Sequence, residues 1–174
     1  MFIPVMREPL FTCAAIAIKL VIRCRMDIIT EMVMTPEGKV KLKGLLIQHE
    51  KYVQFPYSDT TGHLTIGIGR NLTDRGISIT EAFYLLDDDI LYFSTKLHHF
   101  LECFIYLSEN RQIALINMCF NLGVQGFLNF KDMISALESH DYERAAQEML
   151  DSKWANQVGE RATTLANIVR TGNI

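Results

Sequence analysis

The sequence predicts an α+β fold, mostly helical, with a small lobe on a short antiparallel hairpin, then a helical lobe and a cleft between them. Three observations predict it. Apolar residues recur at the three-and-four spacing of helices over much of the chain. Two short runs rich in aromatic and β-branched residues flank a Ser58-Asp59-Thr60-Thr61-Gly62 turn. At 174 residues, 49% hydrophobic and 21% charged, the chain is long and apolar enough for one domain with a sizeable core, which sets it apart from disordered and fibrous chains.

Residues 1–33 read as an extension of uncertain role. The apolar stretch from Phe11 to Ile18 is interrupted by Lys19, so no run of about 20 apolar residues forms a membrane span. Arg7 ahead of it loosely suggests a signal or weak anchor, although Glu8 and Lys19 spoil the pattern. The alternative is an extra helix or an upstream extension of the frame, with Met26, Met32 and Met34 as possible internal starts. The working domain is expected over 34–174, because Thr35-Pro36-Glu37 is a helix start, with Thr as cap and Pro at the first helical position.

From Pro36 to Glu50, Leu42, Leu45 and Leu46 follow helical spacing, and Glu50 falls at the helix end. A carboxylate there meets the negative pole of the helix, which favours its protonated form. Val53 to Tyr57 and His63 to Ile68 read as the strands of the hairpin. Gly67 and Gly69 lack the full fingerprint of a nucleotide loop and read as backbone freedom near a cleft. Ser78 and Glu81 have capping-box spacing and open a helix through Ala82, Leu85, Leu86 and Ile90. Further helices are expected at Glu109 to Leu122, Lys131 to Glu138, Tyr142 to Asp151 and Arg161 to Arg170. Gly123, Gly126, His140-Asp141 and Gly159 separate them.

Seventeen Lys and Arg against 20 Asp and Glu give a net charge of −3, with no basic cluster to follow a phosphate backbone, so nucleic acid is a poor partner. A large anionic partner would be met by local basic residues rather than by a global field. The four cysteines, Cys13, Cys24, Cys103 and Cys119, have neither zinc-site pairing nor the density of a disulfide scaffold. Cys119 lies in an apolar helical run and reads as an inert core cysteine. The Asp87-Asp88-Asp89 run reads as a solvated face, the five histidines lack ligand spacing, and neither metal nor cofactor is expected.

Chemistry concentrates around residue 50. Glu50 alone would be an ordinary helix-end glutamate, Asp59 a turn aspartate and Thr65 a strand residue. Together they form a hydrolase's kit: two carboxylates in unlike environments divide acid and base work, and a hydroxyl helps hold the attacking water.

These residues resemble the phage-type lysozymes, the endolysin muramidases of glycoside hydrolase family 24. The family pattern is a Glu, eight residues, an Asp, five residues and a Thr, here Glu50, Asp59 and Thr65. Thr65-Ile66-Gly67-Ile68-Gly69, the stretch Ala114 to Gly123, Trp154-Ala155-Asn156-Gln157, Arg161 and Arg170-Thr171-Gly172 follow in the family's order, from about Met34 to the C-terminus. The resemblance implies a lysozyme-like fold and cleavage of the β-1,4 bond between N-acetylmuramic acid and N-acetylglucosamine in peptidoglycan. In it Glu50 is the acid, and Asp59 and Thr65 position a water for inversion. A carboxyl separation of about 6.5–9.5 Å leaves room for that water, while about 5 Å would mean retention. Arg161 matches an arginine that lies against the catalytic glutamate, where its charge would favour the ionised form and oppose the helix-end effect, so the sequence leaves the protonation of Glu50 open.

Departures also stand out. Arg70 replaces a histidine, with Asp89 as its expected ion-pair partner, the segment from Asn71 to Ile79 is short, and Val158 replaces a threonine. Arg161, Asn121 and Phe130 are the candidates for substrate contact. Aromatic residues at helical spacing are usually core, so Phe120 and Phe130 also read as structural, as does Trp154. The implied setting is phage lysis: a monomer made in the bacterial host cytoplasm and released to the periplasm and wall, touching membrane only if residues 1–33 anchor it. A non-catalytic wall-binding module and a related enzyme such as a lytic transglycosylase or chitinase remain alternatives.

Overall fold

In the computed structural model, residues 34–174 are described, and the signal or anchor considered for residues 1–33 lies outside them. Helix α1 (Pro36–Glu50) starts at the expected place: Thr35 Oγ1 accepts from the Gly38 amide at 3.1 Å, and proline takes the first turn. The helix ends on Lys51, whose amide reaches the Ile47 carbonyl at φ 60°, ψ 172°. That conformation is close to glycine-only territory and reverses the chain immediately after Glu50.

The chain then enters a three-stranded antiparallel sheet in the order β1 (Val53–Ser58), β2 (Leu64–Gly67) and β3 (Arg70–Asn71). The hairpin β1–β2 is the expected one; the two-residue strand β3 is added to it. Thr65 sits on the central strand, opposite Tyr57 on one side and Asn71 on the other. Helix α2 (Ile79–Phe100) begins with the expected capping box: the Ser78 amide donates to Glu81 Oε2 at 2.7 Å, and the Glu81 amide to Ser78 Oγ at 3.2 Å.

By its contacts the chain divides into two units, one ending at Phe83 and the other running from Tyr84 to Ile174, so the boundary falls within α2. The first unit, among its described residues, buries no apolar side chain; Thr65 alone is buried, at 4% exposure. Hydrogen bonds hold it in shape instead. Arg70 pairs with Glu81 and donates from Nε to the Gly76 carbonyl at 2.9 Å. Asn71 and Asp74 bond each other twice, and Thr73 Oγ1 accepts from the Leu64 amide. The expected Arg70–Asp89 pair is thereby corrected: Glu81, anchored by the capping box a short loop away, takes the guanidinium.

The second unit contains the hydrophobic core. A 3-10 turn (Phe104–Tyr106) leads into α3 (Glu109–Leu128), which kinks at Gly123 (φ 70°, ψ 162°), where the sequence marks a break. Then come α4 (Lys131–Glu138), α5 (Tyr142–Leu150), α6 (Lys153–Val158) and α7 (Glu160–Thr171). Leu97 on α2 and Leu115, Met118, Phe127, Met133, Leu137, Met149 and Val169 along these later helices are fully buried, each large side chain contributing about 1.5–3 kcal/mol of transfer free energy. Asn110 and Arg111 on α3 donate to carbonyls at the end of α7, those of Gly172 and Val169 (both 2.8 Å), while the Arg111 guanidinium stacks 3.6 Å from the Tyr142 ring. Cys103 and Cys119 are buried and free; burial lifts the Cys119 thiol to about 11, so it stays protonated and unreactive. Among the described residues no single helix is long and apolar enough to cross a membrane.

Candidate active site

The three residues singled out around position 50 all fall in the first unit. Glu50, at the end of α1, reaches over the turn between β2 and β3. A Cβ placed on Gly69 (φ 66°) would lie 2.8 Å from Glu50 Oε2 and 3.1 Å from its Cδ. The carboxyl group therefore rests on the bare backbone of Gly69, a seat that any other residue would fill. Sequence reasoning treats the Gly67 and Gly69 pair only as flexible; what Gly69 supplies is room.

Asp59 occupies the first position of the β1–β2 turn. Its backbone closes the hairpin, with its amide donating to the His63 carbonyl (2.9 Å) and its carbonyl accepting from the Gly62 amide (3.0 Å). Its Oδ1 accepts three hydrogen bonds, from the Thr61 hydroxyl (2.7 Å), the Thr61 amide (2.8 Å) and the His63 amide (2.9 Å). These donors, the Thr61 hydroxyl foremost, hold the carboxyl below the usual carboxylate range, and the nearby His63 ring adds to the effect. Asp59 is thus an ionised group with one oxygen fully used.

Thr65, one turn of the hairpin later, is buried on the central strand, and its hydroxyl leans on the His63 carbonyl at 3.4 Å. Helix end, turn and central strand fix Glu50, Asp59 and Thr65 through backbone that is itself hydrogen-bonded. A protonated Glu50 would be a proton donor, and an ionised Asp59 an acceptor for a water proton.

The three candidates for substrate contact lie in the second unit. Asn121 Oδ1 accepts from Trp154 Nε1 at 2.7 Å, and the Phe130 ring packs edge-on against the same indole, centroids 6.3 Å apart. Both residues thus orient Trp154, whose structural role is the expected one. The Arg161 guanidinium grips Asn117, with Nε and Nη2 on Oδ1 at 2.9 and 2.7 Å and Nη2 on the carbonyl at 3.0 Å. Arg161 and Asn117 edge a largely apolar groove of about 340 Å³, walled by Leu86, Ile90, Ile113 and Phe120. Among the described residues no group of three or more His, Cys, Asp or Glu side chains is placed to hold a metal ion.

A three-stranded antiparallel sheet with a helix-end carboxyl, joined to a helical unit, defines a lysozyme-like α+β protein. Sequence comparison agrees, for the family description "Phage lysozyme" matches residues 47–170. The chain belongs to the phage lysozyme family. It is 27% identical over 147 residues to the probable T4-type lysozyme 1 of Dictyostelium discoideum, covering 68% of this chain and 86% of that protein. A second probable T4-type lysozyme of the same organism is 27% identical over 164 residues, covering 76% of this chain and 95% of the relative. The pre-baseplate central spike protein Gp5 of Enterobacteria phage T4 is 32% identical over 146 residues, 68% of this chain, which spans only 25% of the length of that protein. At family level this is a muramidase-type peptidoglycan hydrolase.

Proposed function

We propose that this chain cleaves the β-1,4 bond between N-acetylmuramic acid and N-acetylglucosamine in bacterial peptidoglycan. The observation that carries the reading is that one small unit holds both a Glu50 carboxyl seated on Gly69 and an ionised, hydrogen-bonded Asp59. Glu50 delivers a proton to the glycosidic oxygen as the bond breaks. Asp59, through the oxygen its turn leaves over, holds a water and takes its proton as the water attacks the anomeric carbon; the Thr65 hydroxyl helps orient that water. The glycosidic bond is replaced by a hydroxyl on the new reducing end, and inversion is the stereochemical course the two roles require.

In this reading Arg161 and Asn121 act at the wall polymer indirectly, through Asn117 and Trp154, and Phe130 supports the same indole. Host lysis is the biological setting we propose, with family membership as its support, the protein working as a monomer that passes from host cytoplasm to cell wall. The test compares clearing of purified peptidoglycan by the protein and by Glu50→Gln, with assay of the soluble ends. Reducing ends from the parent and none from the variant support the reading. Anhydro ends would reassign it to a lytic transglycosylase, and binding without clearing by either protein would make it a wall-binding module.

A further inference from the structure

His63 stands at the centre of a polar chain that the catalytic roles above leave unused. Its Nδ1 lies 2.6 Å from Thr61 Oγ1 and 3.7 Å from Asp59 Oδ2, and its Nε2 lies 3.5 Å from Asp74 Oδ2. Asp59 and Asp74 are the titratable groups that face the ring, one from the turn and one from the loop after β3. Asp74 is itself held by Asn71, whose Nδ2 donates to Asp74 Oδ2 at 2.8 Å.

The Thr61 hydroxyl has a single hydrogen and two neighbours that can take it, Asp59 Oδ1 at 2.7 Å and His63 Nδ1 at 2.6 Å. With the imidazole protonated, Nδ1–H donates to Thr61 Oγ1, and the hydroxyl has only Asp59 to serve. When the ring loses a proton, the Asp74 carboxylate facing Nε2 favours keeping the hydrogen there, so the proton leaves Nδ1 for solvent. Nδ1 then becomes an acceptor, the Thr61 hydrogen turns towards it, and Asp59 Oδ1 keeps two donors of three.

We propose that His63 is a positioning residue whose protonation, relayed through the Thr61 hydroxyl, decides how firmly the Asp59 carboxylate is held. The proposal rests on the muramidase reading for its effect on rate, and on the turn geometry alone for the relay. Turnover falls as pH rises through the titration of His63, by roughly three- to tenfold, the effect of one hydrogen bond. KM stays level, because neither Thr61 nor His63 is required to touch the polymer.

The test joins kinetics on soluble peptidoglycan fragments from pH 5 to 8 with NMR of the His63 ring nitrogens and the Asp59 carboxyl carbon. Wild type is expected to lose kcat at the midpoint read from His63. Thr61→Val should lack that step and run at the lower level throughout, and His63→Ala should lack it and hold the higher level. A step that persists unchanged in Thr61→Val overturns the relay. If the wild type has no activity at any pH, the muramidase reading fails, and the relay is still decided: the Asp59 carbon must follow the His63 titration in wild type and cease to follow it in Thr61→Val. Well-dispersed amide spectra of the variants show that each is folded.

Discussion

Glu50 and Gly69 meet as side chain on backbone: the carboxyl lies where the glycine's missing methyl would be, 2.8 Å from Oε2. The contact links the end of α1 to the turn between β2 and β3, so the position of the proposed acid depends on a residue that has no functional group at all. Gly69→Ala forces the carboxyl aside while also placing a side chain at φ 66°. A displacement of about 1 Å in a catalytic group is worth roughly 100-fold in rate. The expected outcome is a loss of that order in peptidoglycan clearing, with a stability cost of about 1 kcal/mol by urea denaturation. Full activity in the alanine variant would show that Glu50 does not need this seat.

Acid should weaken the small unit by a calculable route. Asp59 is held below the usual carboxylate range first by the Thr61 hydroxyl, and Glu81 first by the Ser78 amide, with Arg70 adding to it. For such groups the stabilisation is fully present above the unfolded values, near 3.9 and 4.3, and is lost as pH falls through the lower folded ones. The thermal midpoint is therefore expected to drop below about pH 4, and to drop less steeply in Asp59→Asn and in Glu81→Gln. The glutamine retains the capping-box geometry while removing the charge, which separates the two contributions. Equal slopes in all three proteins would discount these carboxylates.

The two units should open at different free energies. The described part of the first buries only Thr65, whereas the second closes around Leu115, Met118, Phe127, Met149 and their neighbours. Amide exchange is expected to be fast through residues 53–76 and slowest in α3, α5 and α7, where protection approaches that of global unfolding. Uniform protection across both units would mean that they unfold as one.

Trp154, the only tryptophan in the chain, reports on its own hydrogen bond to Asn121. Asn121→Leu leaves the buried indole N–H unpaired and is expected to cost about 1–3 kcal/mol, read from the fluorescence of Trp154 in urea. Trp154→Phe in the Asn121→Leu background should recover part of that loss, measured by circular dichroism, since it removes the orphaned donor.

Features with local causes were legible in the sequence. The Thr35 cap, the Ser78–Glu81 box, the hairpin turn and the kink at Gly123 each follow from residues within a few positions of one another. The partners of long side chains were harder to read. Arg70 carries no signal that separates Glu81 from Asp89; the capping box holds Glu81 within reach of the guanidinium. Asn117, the grip on Arg161, and the short strand β3 were missed for a related reason, since each is defined by what another segment brings to it. The apolar residues of α1 follow helical spacing, and Leu42, Leu45 and Leu46 are nonetheless exposed. Periodicity tells which side chains share a face and says nothing of what covers it.

The β1–β2 turn has a last consequence for the aspartate it carries. A free carboxylate has two interchangeable oxygens, and a rotation by half a turn restores the same group. With Oδ1 tethered to Thr61 and His63, Asp59 loses that symmetry: its oxygens become distinguishable, one belonging to the loop and the other to whatever approaches it. Five turn residues thereby convert a group with no handedness of its own into one that can address only a single side of an incoming molecule.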